Sequence, residues 1–160
     1  MIARRTFLSI LGGGVVFGIG GVVYSQLPSD KFPTGDPIIL YGQENCARCR
    51  MVISDLQYAS AWRESDGSET HFDDIGCMVL LDGERHPIGG TQYWVHDFES
   101  GEWFDALSAS YVVSPDVHSP MGYGVIASTN AAGSKILSGK FSNAEILTWN
   151  ELKLTIKDAG

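Results

Sequence analysis

The chain has 160 residues, enough for one domain or two very small ones. Its 11 Lys and Arg stand against 19 Asp and Glu, a formal net charge of −8. A surface this acidic repels phosphate backbones, which argues against a nucleic-acid partner, and the 3 cysteines form no complete disulfide framework.

In chain order, residues 1–25 read as an export signal or an N-terminal anchor. Arg4 and Arg5 precede Phe7-Leu8 and an uncharged, glycine-rich apolar stretch from Leu11 to Tyr24, and Ser25 ends it on a small residue. The arginine pair gives the segment the twin-arginine type, an address read by a receptor. The uncharged run 6–29 is also long enough to span a bilayer, so an uncleaved form would meet the membrane through this segment alone. Either way the remainder is expected in the periplasm or another extracytoplasmic space. Residues 26–37, with Pro28, Pro33, Gly35 and Pro37, read as a linker too poor in apolar side chains to fold.

Residues 38–157 carry the folded pattern. Strands are expected at Ile38–Tyr41, Met51–Ser54 and Glu69–Phe72, and Leu56–Arg63 fits either a strand or a short helix. The aromatic segments Tyr93–Phe98 and Glu102–Ala106 flank Glu99-Ser100-Gly101 as a hairpin. Further strands are expected at Ala109–Val113, Gly124–Ser128 and Glu145–Thr148. Asp73-Asp74 reads as the cap of an apolar helix, Ile75–Leu81, that Asp82-Gly83 stops. A second helix enters through Asn130 and runs to Ser138. A third, Trp149–Ile156, starts at the capping box Thr148…Glu151. Strand, excursion, strand, polar cap and helix thus occur twice at similar spacing. This echo predicts an α+β fold of two small related strand–helix lobes, about 38–90 and 91–157.

The chemistry concentrates in Cys46-Ala-Arg-Cys49-Arg-Met51, two thiols and a thioether within six residues. Soft sulfur ligands select Cu(I) over hard cations, and Arg48 and Arg50 are expected to lower the thiol pKa values. A zinc knuckle would need four ligands, and no second C-x-x-C or H-x-x-x-H follows. A thioredoxin-like pair should open a helix, whereas this pair precedes a strand pattern. A plain structural disulfide stays open as a reading. Met121 sits between Pro120 and Gly122, where a methionine has little packing purpose. Cys77 and Met78 read as core, Asp73 and Asp74 as helix caps, and His71, His86 and His96 as structural. No nucleophile–base–acid set, Walker loop or dinucleotide signature occurs.

Six segments taken in order resemble NosL-type copper proteins. They are Cys46-Ala-Arg-Cys49-Arg-Met51-Val-Ile-Ser-Asp55, His71-Phe-Asp-Asp-Ile-Gly-Cys-Met78, Gly101-Glu-Trp-Phe-Asp-Ala106, Ser110-Tyr-Val112, Ser119-Pro-Met-Gly122 and Ile146-Leu-Thr-Trp-Asn-Glu-Leu152. The resemblance covers about Cys46 to Leu154. It implies two small α+β lobes similar to a domain of organomercurial lyase. It also implies an accessory protein, not an enzyme, that passes Cu(I) from a donor to an extracytoplasmic copper enzyme in nitrous oxide reductase maturation. The family's sulfur motif falls on Cys49 and Met51 with Cys46 added, and its second-lobe methionine falls on Met121. The implied metal ligands are therefore Cys46, Cys49, Met51 and Met121. Two departures stand out: no cysteine precedes Cys46, where many members carry a lipidated one, and Tyr123-Gly124 follows Met121-Gly122, where an acidic residue is frequent. The rival from another class is a thiol–disulfide oxidoreductase using Cys46 and Cys49, which would have no use for Met51 or Met121.

Overall fold

The computed structural model describes residues 34–159. The export segment and nearly all of the linker lie outside the described residues. Among those described, no helix is long and apolar enough to cross a membrane.

The first sheet is built on β1 (Ser60–Arg63), which is buried along its whole length. Asp66 and Gly67 turn the chain back into β2 (Glu69–Phe72). The Asp66 carboxylate accepts the Ser68 N–H at 2.9 Å, and Gly67 takes φ +88°. The register sets Arg63 opposite Glu69, and the two form an ion pair. On the other side of β1 lies β3 (Gln92–His96), which hairpins into β4 (Trp103–Asp105). Asp97 closes that turn by accepting the N–H groups of Glu99 and Ser100 at 3.1 and 2.9 Å. The order is β2-β1-β3-β4, antiparallel throughout. After a 3₁₀ turn at Ala106–Ser108, β5 (Ser110–Val113) pairs with β6 (Val125–Ser128) and β7 (Glu145–Leu147), giving the order β6-β5-β7. The chain changes sheet at 106–109 and not near residue 90, because β3 pairs with β1.

Among the described residues, three helices complete the α+β fold: α1 (Ile75–Arg85), α2 (Ala131–Ser138) and α3 (Trp149–Ala159). Asn130 caps α2 by accepting from Ala132 and Gly133 N–H. At α3, the Glu151 carboxylate takes both the N–H and the hydroxyl of Thr148, at 2.8 and 2.7 Å. Helix α1 packs on β1, β2, β6 and α3, and one core joins residues of both sheets: Trp62, Phe72, Ile75, Met78, Val95, Tyr111, Val125 and Leu152. The two lobes are also stitched directly, since Phe98 N–H donates to Ala127 O at 3.0 Å and Thr129 N–H to the Asp97 carboxylate at 3.0 Å.

Three local expectations fail for identifiable reasons, and the strand alternative for Leu56–Arg63 holds only over its second half. Ile38–Tyr41 is not a strand. Leu40 O accepts the N–H groups of Gln43 and Glu44, so the chain curls there with Gly42 at φ +76°. Met51–Ser54 contributes only one isolated bridge, Val52 to Asn45. Leu56–Tyr58 is a turn and the strand begins at Ser60. Helix α1 runs through Gly83 to Arg85. The left-handed cap falls on His86 at φ +49°, whose N–H reaches Asp82 O, and Pro87 bars any continuation.

Candidate metal centre

Two segments bring the site together. Residues 44–53 form a short irregular hairpin held by Ile53 N–H to Glu44 O at 2.9 Å and Cys46 N–H to Met51 O at 2.8 Å. Arg50 N–H closes back on Cys46 O at 3.1 Å, with Arg50 left-handed at φ +69°. Ala47 N–H donates to His71 O at 3.0 Å, docking the hairpin on β2. The second segment is the entry to α1. Asp74 is its cap, accepting from Gly76 N–H at 2.8 Å, and Cys77 lies in the first turn, at the positive end of the helix dipole.

Ligand atoms of Cys46, Cys49, Asp73 and Cys77 all lie within 4.8 Å of one another. Cys46 and Cys77 are fully buried and Asp73 is 1% exposed. The Cys49 thiol donates to Asp73 Oδ1 at 3.2 Å, and Asp73 Oδ2 is buried with no partner. A roof closes over α1. The Tyr123 ring lies where a Cβ on Gly76 would come within 2.3 Å of it, and Arg48 ties Tyr123 Oη at 3.2 Å to Glu84 at 2.9 Å.

The three thiols are electrostatically unlike. The Cys77 thiol donates to Cys46 and brings Cys46 down to about 6, against the opposing effect of burial. Acting as that donor, together with burial, pushes Cys77 far up. Burial pushes Cys49 up to about 12, and its hydrogen bond to Asp73 adds to this. Cys46 is therefore the thiol that loses its proton most readily, Cys49 and Cys77 hold theirs more firmly, and a metal bound by all three displaces protons from the cluster. The arginines are not the cause, contrary to the expectation: Arg48 is paired with Glu84 and Tyr123, and the depression at Cys46 comes from Cys77.

These shifts fix a pH dependence. Between about 6 and the ordinary 9.0, the unfolded chain holds a proton on Cys46 that the folded chain has released. Stability of the reduced, metal-free protein should therefore rise with pH across that window. Between 9.0 and about 12 the Cys49 thiol keeps its proton in the folded chain and loses it in the unfolded one, so stability should fall again. Denaturant midpoints at the ends of the two windows check this. A flat profile, or three thiols titrating together by thiolate absorbance, would refute the unequal trio.

The methionines of the expected ligand set come from different loops. Met51 is 51% exposed beside the hairpin. Met121 is not an idle exposed residue: like Cys49, it is partly buried against the core that includes Cys46 and Cys77, and its N–H donates to Asp74 Oδ2 at 3.0 Å. Sequence reasoning missed two members of the cluster. Asp73 was expected to cap α1, a task that Asp74 performs. Cys77 is buried, as expected, but its thiol faces other thiols. No local signal marked either: Asp73 stands one residue before the cap, outside α1, and Cys77 lies within an apolar run. The four ligand atoms also remove the objection that zinc lacks a full set here. The histidines serve structure: His96 links Tyr41 Oη and Gly101 O, His71 meets Glu44 at 2.6 Å, and His86 caps α1.

Two buried thiols, a partly buried third and a partnerless carboxylate oxygen, gathered by a hairpin and a helix start on an α+β frame, make a donor set that could hold a thiophilic metal. The NosL family model matches residues 37–150, most of the chain, and the chain belongs to the NosL family. The solved structure of the copper chaperone NosL from Shewanella denitrificans has a similar fold, with a TM-score of 0.63 at 12% identity, covering 74% of this chain and 96% of that one. No curated protein sequence matches this chain.

Proposed function

We propose that this chain is an extracytoplasmic Cu(I) chaperone serving the maturation of a copper enzyme, with nitrous oxide reductase as the target that its family resemblance suggests. The observation that carries the reading is the cluster of three cysteine sulfurs within 4.8 Å, one of them, Cys49, on a partly exposed hairpin. Soft thiolates at this spacing suit a low-coordinate Cu(I). Cys46, Cys49 and Cys77 would hold the ion, and the thioethers of Met51 and Met121 would share it during exchange with a partner. Thiol–disulfide exchange is the weaker reading, because Cys46 is fully buried and an attacking thiolate needs access.

The reading is tested by transfer. Copper-loaded protein mixed with metal-free nitrous oxide reductase should lose its Cu(I) to the enzyme, and protein that keeps its copper would contradict the assignment of target. Met51→Leu and Met121→Leu keep volume and apolarity but remove sulfur, so unfolding stability should move by less than about 1.5 kcal/mol. Transfer should slow in both. Transfer at the unsubstituted rate in both variants would leave copper handling to the cysteines alone.

A further inference from the structure

We propose that Cys46, Cys49, Asp73 and Cys77 also form a tetrahedral site for a divalent thiophilic cation of the zinc class, in which Asp73 is the fourth ligand and decides between that cation and Cu(I). The discrimination rests on the copper reading above, whereas the four-ligand site stands on the cluster itself.

Asp73 has no other evident task. Asp74 performs the capping of α1, and among the described residues no cation pairs with Asp73. Its Oδ2 is nonetheless buried without a partner, a costly state for a carboxylate oxygen unless something binds there. The spacing fits. With Zn–S near 2.3 Å and Zn–O near 2.1 Å, a tetrahedron needs sulfur–sulfur edges of about 3.8 Å and sulfur–oxygen edges of about 3.6 Å. The four atoms already lie within 4.8 Å, and Cys49 Sγ to Asp73 Oδ1 is 3.2 Å, so closing the shell takes shifts of about 1 Å or less.

The two metals then use different parts of one site. Cu(I) is satisfied by sulfur and gains little from a carboxylate, while zinc accepts thiolate and carboxylate together and wants four ligands. The soft thioethers of Met51 and Met121 lie on the copper side of that division and Asp73 on the zinc side.

Asp73→Asn separates them. The test is competition of Zn(II) and, separately, anaerobic Cu(I) against chelators, using reduced protein with and without the substitution. Zn(II) affinity should fall by more than about tenfold, since even groups behind a metal ligand are worth that much, while Cu(I) affinity stays within about twofold. Unchanged Zn(II) affinity, or an equal fall for both metals, would overturn the proposal. Unsubstituted protein that takes zinc through Asp73 but binds no Cu(I) would overturn the copper reading and leave the zinc site standing. Should Asp73→Asn not fold, zinc X-ray absorption of the unsubstituted protein decides: three sulfurs and one oxygen are expected, and a two-sulfur shell would contradict the site.

Discussion

Cys77→Ser should weaken Cu(I) binding by at least about a hundredfold, although nothing in the local pattern around Cys77 marks it as a ligand. Loss of a group behind a ligand already costs about 10–100-fold, and here a ligand itself is replaced. The substitution acts twice. It removes one of three sulfurs from the cluster, and it removes the thiol whose hydrogen bond brings Cys46 down to about 6. A serine hydroxyl is harder and a poor ligand for Cu(I). Because serine is close to cysteine in volume, the fold should survive, and near-native unfolding midpoints would confirm that the loss belongs to the site. Chelator competition reads the affinity. If Cys77→Ser binds Cu(I) as tightly as the unsubstituted chain, Cys77 is core only and the copper site is confined to the hairpin.

Asp74→Ala should cost about 2–4 kcal/mol of stability, the sum of a lost helix cap and a stranded buried donor. The two oxygens of Asp74 do separate work. One accepts Gly76 N–H and starts α1, and the other accepts Met121 N–H at 3.0 Å, holding the Ser119–Gly122 loop against the same helix start. Within the loop, Gly124 N–H donates to Ser119 Oγ at 3.1 Å, so the turn that Asp74 anchors is also closed on itself. Alanine removes the acceptor from both the Gly76 and the Met121 N–H. Asp74→Asn keeps one carbonyl oxygen and should cost clearly less. Urea unfolding of metal-free protein measures both. The same variant separates this residue from its neighbour: Asp74→Ala should slow copper transfer by releasing Met121, whereas Asp73→Asn should leave Cu(I) affinity unchanged. Equal stability of Asp74→Ala and the unsubstituted protein would show that Met121 is positioned by something else.

Much of the fold was legible because local chemistry decides it. The Ser100-Gly101 hairpin, the Asn130 cap and the Thr148…Glu151 capping box are each written within a few residues, and the structure uses each. Segment 38–54 was misread because its ordering is not local. Its apolar residues look like strands, but Ile53 pairs back to Glu44 and Gly42 within the segment, and Ala47 is held by His71, so no regular ladder forms. The end of α1 was misplaced because two left-handed candidates lay close together, and Pro87 favours His86 over Gly83. Of the site, the hairpin sulfurs were visible as a motif. Asp73 and Cys77 were hidden by ambiguity: two adjacent aspartates look equally suited to a cap, and a cysteine in an apolar helix looks like packing. Only the placement of the hairpin on β2 shows which of these groups face Cys46 and Cys49.

The central claim, that this chain binds Cu(I) through clustered thiolates, is tested most directly by anaerobic titration of the reduced protein with Cu(I) against a competing chelator, with copper X-ray absorption of the loaded form. The account predicts one tightly held Cu(I) per chain in an all-sulfur shell, lost when the thiols are alkylated beforehand. Copper that stays with the chelator, or that binds equally well after alkylation, would contradict it.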